Sequence, residues 1–222
     1  MSAGISVWTA VIGAAAGFAG ALGSQWLSHH FATSRERRAS EDRLTRERYF
    51  IATGLVFLLE RYAEGCARVV TDYGKNNEDR QPERKAVMDY PVLDLTSVVG
   101  DWRALYSHHN YRVRELPVLQ NEARGAIAHA AQIPAPPLHE EYFRERQYQF
   151  ARLGIRAVTI AVRLRREAGL PETRLKGHEW SAVNKFLEVL RRERPLRAAE
   201  AVRNKKWNQP VMLSQYDRES TL

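Results

Sequence analysis

The sequence has a single cysteine, Cys66, which excludes an intramolecular disulfide and a Cys-rich zinc site and fits a reducing compartment. It has no G-x-x-x-x-G-K-S/T, no G-x-G-x-x-G behind a strand and no G-x-S-x-G, so nucleotide binding and elbow-type hydrolysis lack their usual cradles. From Met1 to Ser34 there is no acidic residue, lysine or arginine, and no proline occurs before Pro82. Wholesale disorder is excluded by composition: of 222 residues, 44% are hydrophobic and 27% charged, close to a globular average. The net charge of +8 calls for an anionic neighbour, either nucleic acid or lipid headgroups.

What the first residues do contain is an apolar run, Ile5 to Leu27. As a helix it extends about 34 Å, enough for a hydrocarbon core of about 30 Å with modest tilt. A signal peptide needs a positively charged start, which this run lacks. The expectation is a transmembrane helix over 5–27, after a short N-terminus of residues 1–4. Trp8 and Trp26 stand near its ends as interface anchors, with Arg35, Arg37 and Arg38 following. Because basic residues cluster after the run, the positive-inside bias puts the C-terminal body in the cytoplasm, at a bacterial inner membrane. Gly13, Gly17, Gly20 and Ser24 follow one another 4, 3 and 4 residues apart and form a small-residue stripe, a candidate helix–helix interface in lipid.

Residues 28–73 read as a charged and then amphipathic continuation. Leu44, Ile51, Leu55, Leu58, Tyr62, Cys66, Val69 and Tyr73 keep helical spacing, so this helix faces a core. The Arg/Glu mixture over residues 35–48 reads as a solvated face. Polar residues 74–91 read as a loop, and residues 92–194 as a helical bundle with no strand pair. Within the bundle a helix is expected to begin near Trp102 and another at Pro117, placed in its first turn. A third spans about Leu138 to Ala168, closed by Gly169 as a C-cap, with Phe143, Phe150, Leu153, Ala157, Ile160 and Leu164 inward. A last helix from about Glu179, led by Trp180, turns Val183, Phe186, Leu187 and Leu190 inward, and Pro195 kinks or interrupts it, leaving 195–222 as a basic helix end and an irregular tail. The fold class is all-α: a transmembrane helix running into a long helix that packs in a cytoplasmic bundle.

The segment "EEYFRERQYQFARLGIRAVTIAVRLRREAGLP", preceded by "YRVRELPVLQNEARGAI" and followed by a Trp-led helix, resembles uncharacterised bacterial proteins with one N-terminal membrane span and a helical cytoplasmic body. The likeness covers roughly residues 5–190. It implies this architecture and brings no activity and no catalytic residues.

Candidate chemistry is sparse. The adjacent pairs His29/His30 and His108/His109, with His129, His139 and His178, are the possible metal ligands, but neighbouring histidines on a helix point about 100° apart. "HEEYF" at His139 lacks the second histidine of a metalloprotease helix. No metal and no cofactor is expected, and His29/His30 read as residues of the membrane boundary. Glu140, Glu141 and Glu145 complement a helix dipole and pair with Arg144 and Arg146, while Tyr142, Tyr148 and Arg146 offer a polar groove as the best small-ligand candidate. Lys185 to Lys206 is the most basic segment, net +5, and supplies a surface of Arg191, Arg192, Arg194, Arg197, Arg203, Lys205 and Lys206. Aromatics are not interleaved as a stacking platform needs, so anionic lipid of the inner leaflet is the expected partner and nucleic acid is not. The resulting expectation is a non-catalytic, membrane-anchored interaction module or complex subunit that binds itself or another membrane protein. The alternative is a self-assembling effector that forms a pore or a lipid-perturbing oligomer through the glycine stripe.

Overall fold

The computed structural model describes residues 4–76, 84–133, 139–173, 175, 178 and 181–207, with side chains between residues 35 and 204 of those ranges, Asn76 excepted. The first helix, α1, is Gly4–Val70, and the chain divides into two units, residues 1–50 and 51–222. In the first unit every side chain from Arg35 to Arg46 is exposed, Arg35, Arg37 and Arg38 included. The Thr45 hydroxyl and Arg46 Nε donate to the carbonyls of Glu41 and Asp42 one turn back, at 2.8 and 3.3 Å. The side chains of Trp8, Trp26, His29, His30 and the stripe Gly13/Gly17/Gly20/Ser24 lie outside the described residues. Among the residues whose side chains are described no helix is long and apolar enough to cross a membrane, and the side chains of the Ile5–Leu27 run are not among them.

The second unit is a helical bundle. Ile51, Leu55, Leu58, Tyr62, Cys66 and Val69 of α1 are buried, as the helical period requires. The stripe fails at its two ends, where Leu44 is 47% and Tyr73 58% exposed. Among the described side chains of α1 burial starts at Ile51, and Tyr73 stands beyond Val70, where the helical period no longer applies. Three more helices complete the bundle: α2 (Ser107–Ala131), α3 (Glu140–Glu167) and α4 (Ala182–Trp207). Helix α3 packs against both α2 and α4. All six residues of its expected stripe are buried, each large one contributing about 1.5–3 kcal/mol. At Gly154 the two helices come close: a Cβ there would stand 2.2 Å from Phe186 Cζ. Helix α3 ends in a Schellman arrangement, with Gly169 at φ 64°, its N–H on the Arg166 carbonyl and the Leu170 N–H on that of Arg165.

Five expectations are corrected. Pro117 does not open a helix but sits inside α2. An interior proline costs about 3 kcal/mol in a free helix, and burial of Val113, Leu116, Gln120, Ala123 and Ile127 on both sides of it offsets that. The chain at Trp102 forms only a 3₁₀ turn, Trp102–Ala104, capped by Asp101, and α2 begins at Ser107. Pro195 does not interrupt α4, because Glu193 before it and Arg197 and Glu200 after it are all held by α3. The segment read as a loop contains a two-residue antiparallel ladder, β1 (Lys75–Asn76) with β2 (Arg84–Lys85). Two residues per strand carry no alternation, so pattern reading is blind to it. The last helix starts at Ala182 rather than Glu179, with the Ser181 Oγ accepting from Asn184 N–H; Trp180 lies outside the described residues, as does everything after Trp207. Phe186, Val189 and Leu190 are buried there, Val183 and Leu187 half-buried.

Candidate functional site

The buried polar residues include Arg146 and Gln147 on α3. Arg146, 1% exposed, donates from Nη1 to Asp72 Oδ2 at 2.8 Å and from Nη2 to the Met88 carbonyl, under the ring of Tyr90. Asp72 accepts in addition from the N–H groups of Gly74, Val87 and Met88 at 2.8–2.9 Å. Burial alone raises the Asp72 carboxyl, but the N–H groups of Met88 and Gly74, the Arg146 guanidinium and the Val87 N–H together hold it below the usual range. This pair closes the segment after α1 onto α3. The sequence pairing of Arg146 with neighbouring glutamates is therefore corrected: an acidic residue 74 positions earlier takes it.

A second network joins α3 to α4. Glu193, buried on α4, receives Arg144 Nε at 2.8 Å and stands 3.5 Å from Arg197 Nε, while Arg144 Nη1 reaches Glu200 at 2.8 Å. Arg197 reaches Glu145 at 2.6 Å and covers the Tyr148 ring at 3.7 Å. Arg144 also approaches Glu141 at 3.6 Å, the one contact of the expected local kind. Of the expected basic surface, Arg191, Arg194 and Arg203 are exposed, Arg192 bonds Gln147 and Glu193, Arg197 belongs to this network, and the side chains of Lys205 and Lys206 lie outside the described residues. The expected groove of Tyr142, Tyr148 and Arg146 is not assembled. Tyr148 faces α4, whereas Tyr142 joins Arg146 beside Tyr90, with its hydroxyl raised to about 12 by burial and by Tyr90.

Elsewhere α1 is tied to the end of α3 by Arg165, which grips Glu60 with two bonds of 2.8 Å and the Pro171 carbonyl with a third of 2.7 Å. Cys66 is fully buried and its thiol is pushed up to about 12 by that burial, so it packs as a small hydrophobe. A cleft of about 220 Å³ between α2 and α3 is lined by Arg112, Glu115, Leu119, Ile155, Arg156 and Thr159.

The remaining cluster joins the first turn of α2 to the last residue of α3. His108 and His109 place their rings 4.0 Å apart at a 46° tilt, and both turn toward Glu167. His109 Nε2 lies 2.7 Å and His108 Nε2 3.8 Å from the same atom, Glu167 Oε1. His109 is 1% exposed, yet among the described residues neither of its ring nitrogens has an aligned hydrogen-bond partner, so the 2.7 Å approach is not a formed hydrogen bond. Sequence spacing could not reveal this cluster, because its third member is 58 residues from His109 and arrives only through the packing of α2 on α3. His129 and His178 are exposed, and His139 precedes α3 at φ 47°. Comparison with family models, with curated proteins and with solved structures finds no match for the chain.

Proposed function

We propose that this chain is a membrane-anchored, non-catalytic helical interaction module, with a body that faces the cytoplasm and serves as a subunit of a membrane complex. The observation that carries the reading is the charge-free apolar run Ile5–Leu27 followed at once by six arginines between residues 35 and 48. A helix satisfies its own backbone and is one of the two forms that cross lipid, and α1 is helical from Gly4. The exposure of Arg35, Arg37 and Arg38 supports contact with anionic headgroups, at about 1 kcal/mol per basic residue near the surface. Arg191 and Arg194, exposed three residues apart on α4, offer a second basic face on the body.

The experiment is extraction in mild detergent from the native host, followed by absolute mass of the particle and identification of every chain in it. A fixed ratio with a second protein supports the subunit reading, and recovery in the aqueous fraction without detergent overturns the anchor. The stripe Gly13/Gly17/Gly20/Ser24 favours a second reading, self-assembly through the span into a pore or lipid-perturbing oligomer. A particle built of several copies of this chain alone, lost on replacing Gly13 and Gly17 by Leu, selects that reading instead.

A further inference from the structure

We infer that His108, His109 and Glu167 form a three-ligand site for a divalent transition-metal ion of the zinc type. Two imidazoles and one carboxylate are a donor set suited to zinc and its neighbours rather than to magnesium or calcium, which take oxygen shells. All three ligand atoms lie within 4.8 Å of one another. Around a tetrahedral zinc with bonds of about 2.0–2.1 Å, ligand atoms stand about 3.3 Å apart. The distances to Glu167 Oε1, 2.7 and 3.8 Å, straddle that figure, so small side-chain rotations admit the ion.

The independent observation is His109 itself. A fully buried imidazole with no aligned partner at either nitrogen is costly, since each unpaired buried polar group carries a desolvation penalty. An ion on Nε2 would use one of those nitrogens and also separate it from the oxygen it now crowds. His108, with its side chain 56% exposed, and Glu167, 35% exposed, give the ion a path from solvent. Three protein ligands leave a fourth position for water or for a donor from a partner chain. Nδ1 of His109 has no carboxylate or carbonyl to orient it, and ligands lacking such support bind metal 10–100-fold more weakly.

The test uses the full chain without a histidine tag, held in mild detergent and stripped with a chelator, then titrated with zinc against a chromophoric competitor and with cobalt for its visible absorption. One ion per chain is expected, with a tetrahedral cobalt spectrum. H108A and E167Q, both on the exposed side of the cluster, should fold and each weaken binding at least tenfold, whereas H129A, exposed near the other end of α2, should not. H109A should abolish binding; if it fails to fold, H108A and E167Q still decide. The absence of a stoichiometric ion in the wild type, or equal affinity in wild type, H108A and E167Q, overturns the site.

Discussion

Asp72 and His109 are both buried polar residues, and the difference between them separates what holds this protein together from what is free to act. Asp72 accepts from three backbone N–H groups and a guanidinium, so its charge is answered within the fold. His109 has a carboxylate at contact distance and no aligned bond to it. The first arrangement is finished by folding alone. The second has capacity left over, and in a protein interior such capacity is expensive unless something uses it.

The comparison breaks most sharply at Asp72. D72N leaves Arg146 as an uncompensated buried cation and should cost about 3–5 kcal/mol in denaturant unfolding, with the double variant D72N/R146M recovering part of the loss. Because the Asp72 carboxyl is held below the usual range, its stabilisation is present above the unfolded value of about 3.9 and lost as pH falls through the folded value. Glu60 works in the same direction: burial raises it, while Arg165 and Thr173 lower it further than that. Unfolding free energy should therefore be level above about pH 5 and decline below about pH 4. A decline confined to pH 6–7 would mean that histidines rather than these carboxylates govern acid stability.

His109 sharpens the comparison from the other side. Zinc at about 100 times its wild-type dissociation constant should raise stability by about 2.7 kcal/mol in the wild type and in D72N alike, and by about 1.4 kcal/mol or less in E167Q. Next in size, E193Q removes the buried negative charge that accepts from Arg144 and stands 3.5 Å from Arg197, and should cost about 1.5–3 kcal/mol, with the loss visible as fraying of α4 beyond Pro195 in hydrogen exchange. The smallest effect belongs to the exposed basic face. R191E and R194E should stay within about 0.5 kcal/mol of the wild type in stability yet weaken binding to anionic vesicles. If R197E instead matched R191E in stability, the α3–α4 network would contribute nothing.

Periodicity exposed the bundle well where segments were long. The α3 stripe from Phe143 to Leu164 and the α1 stripe from Ile51 to Val69 follow directly from residue spacing, as does the Gly169 cap. Prolines misled, because Pro117 and Pro195 act through local chain geometry and the packing on either side of each outweighs it. The β1–β2 ladder escaped because two residues carry no pattern.

Local charge pairing is present for Arg144 with Glu141 but absent for Arg146 and Glu145, which pair with distant residues. Arg146 and Glu145 are adjacent in sequence, yet each is taken by a residue far along the chain, Asp72 and Arg197. A local pair on a solvated helix is worth only a few tenths of a kcal/mol, too little to hold a side chain that packing places beside a distant partner. What sequence alone determined is the class of the fold: the apolar run, the arginines after it and the helical stripes are each properties of consecutive residues. What only tertiary structure decided is where charge is answered and where it is not. Asp72 after the end of α1 meets Arg146 on α3, and His108 and His109 on α2 meet Glu167 on α3, and no spacing rule encodes which distant segment packing brings to a side chain.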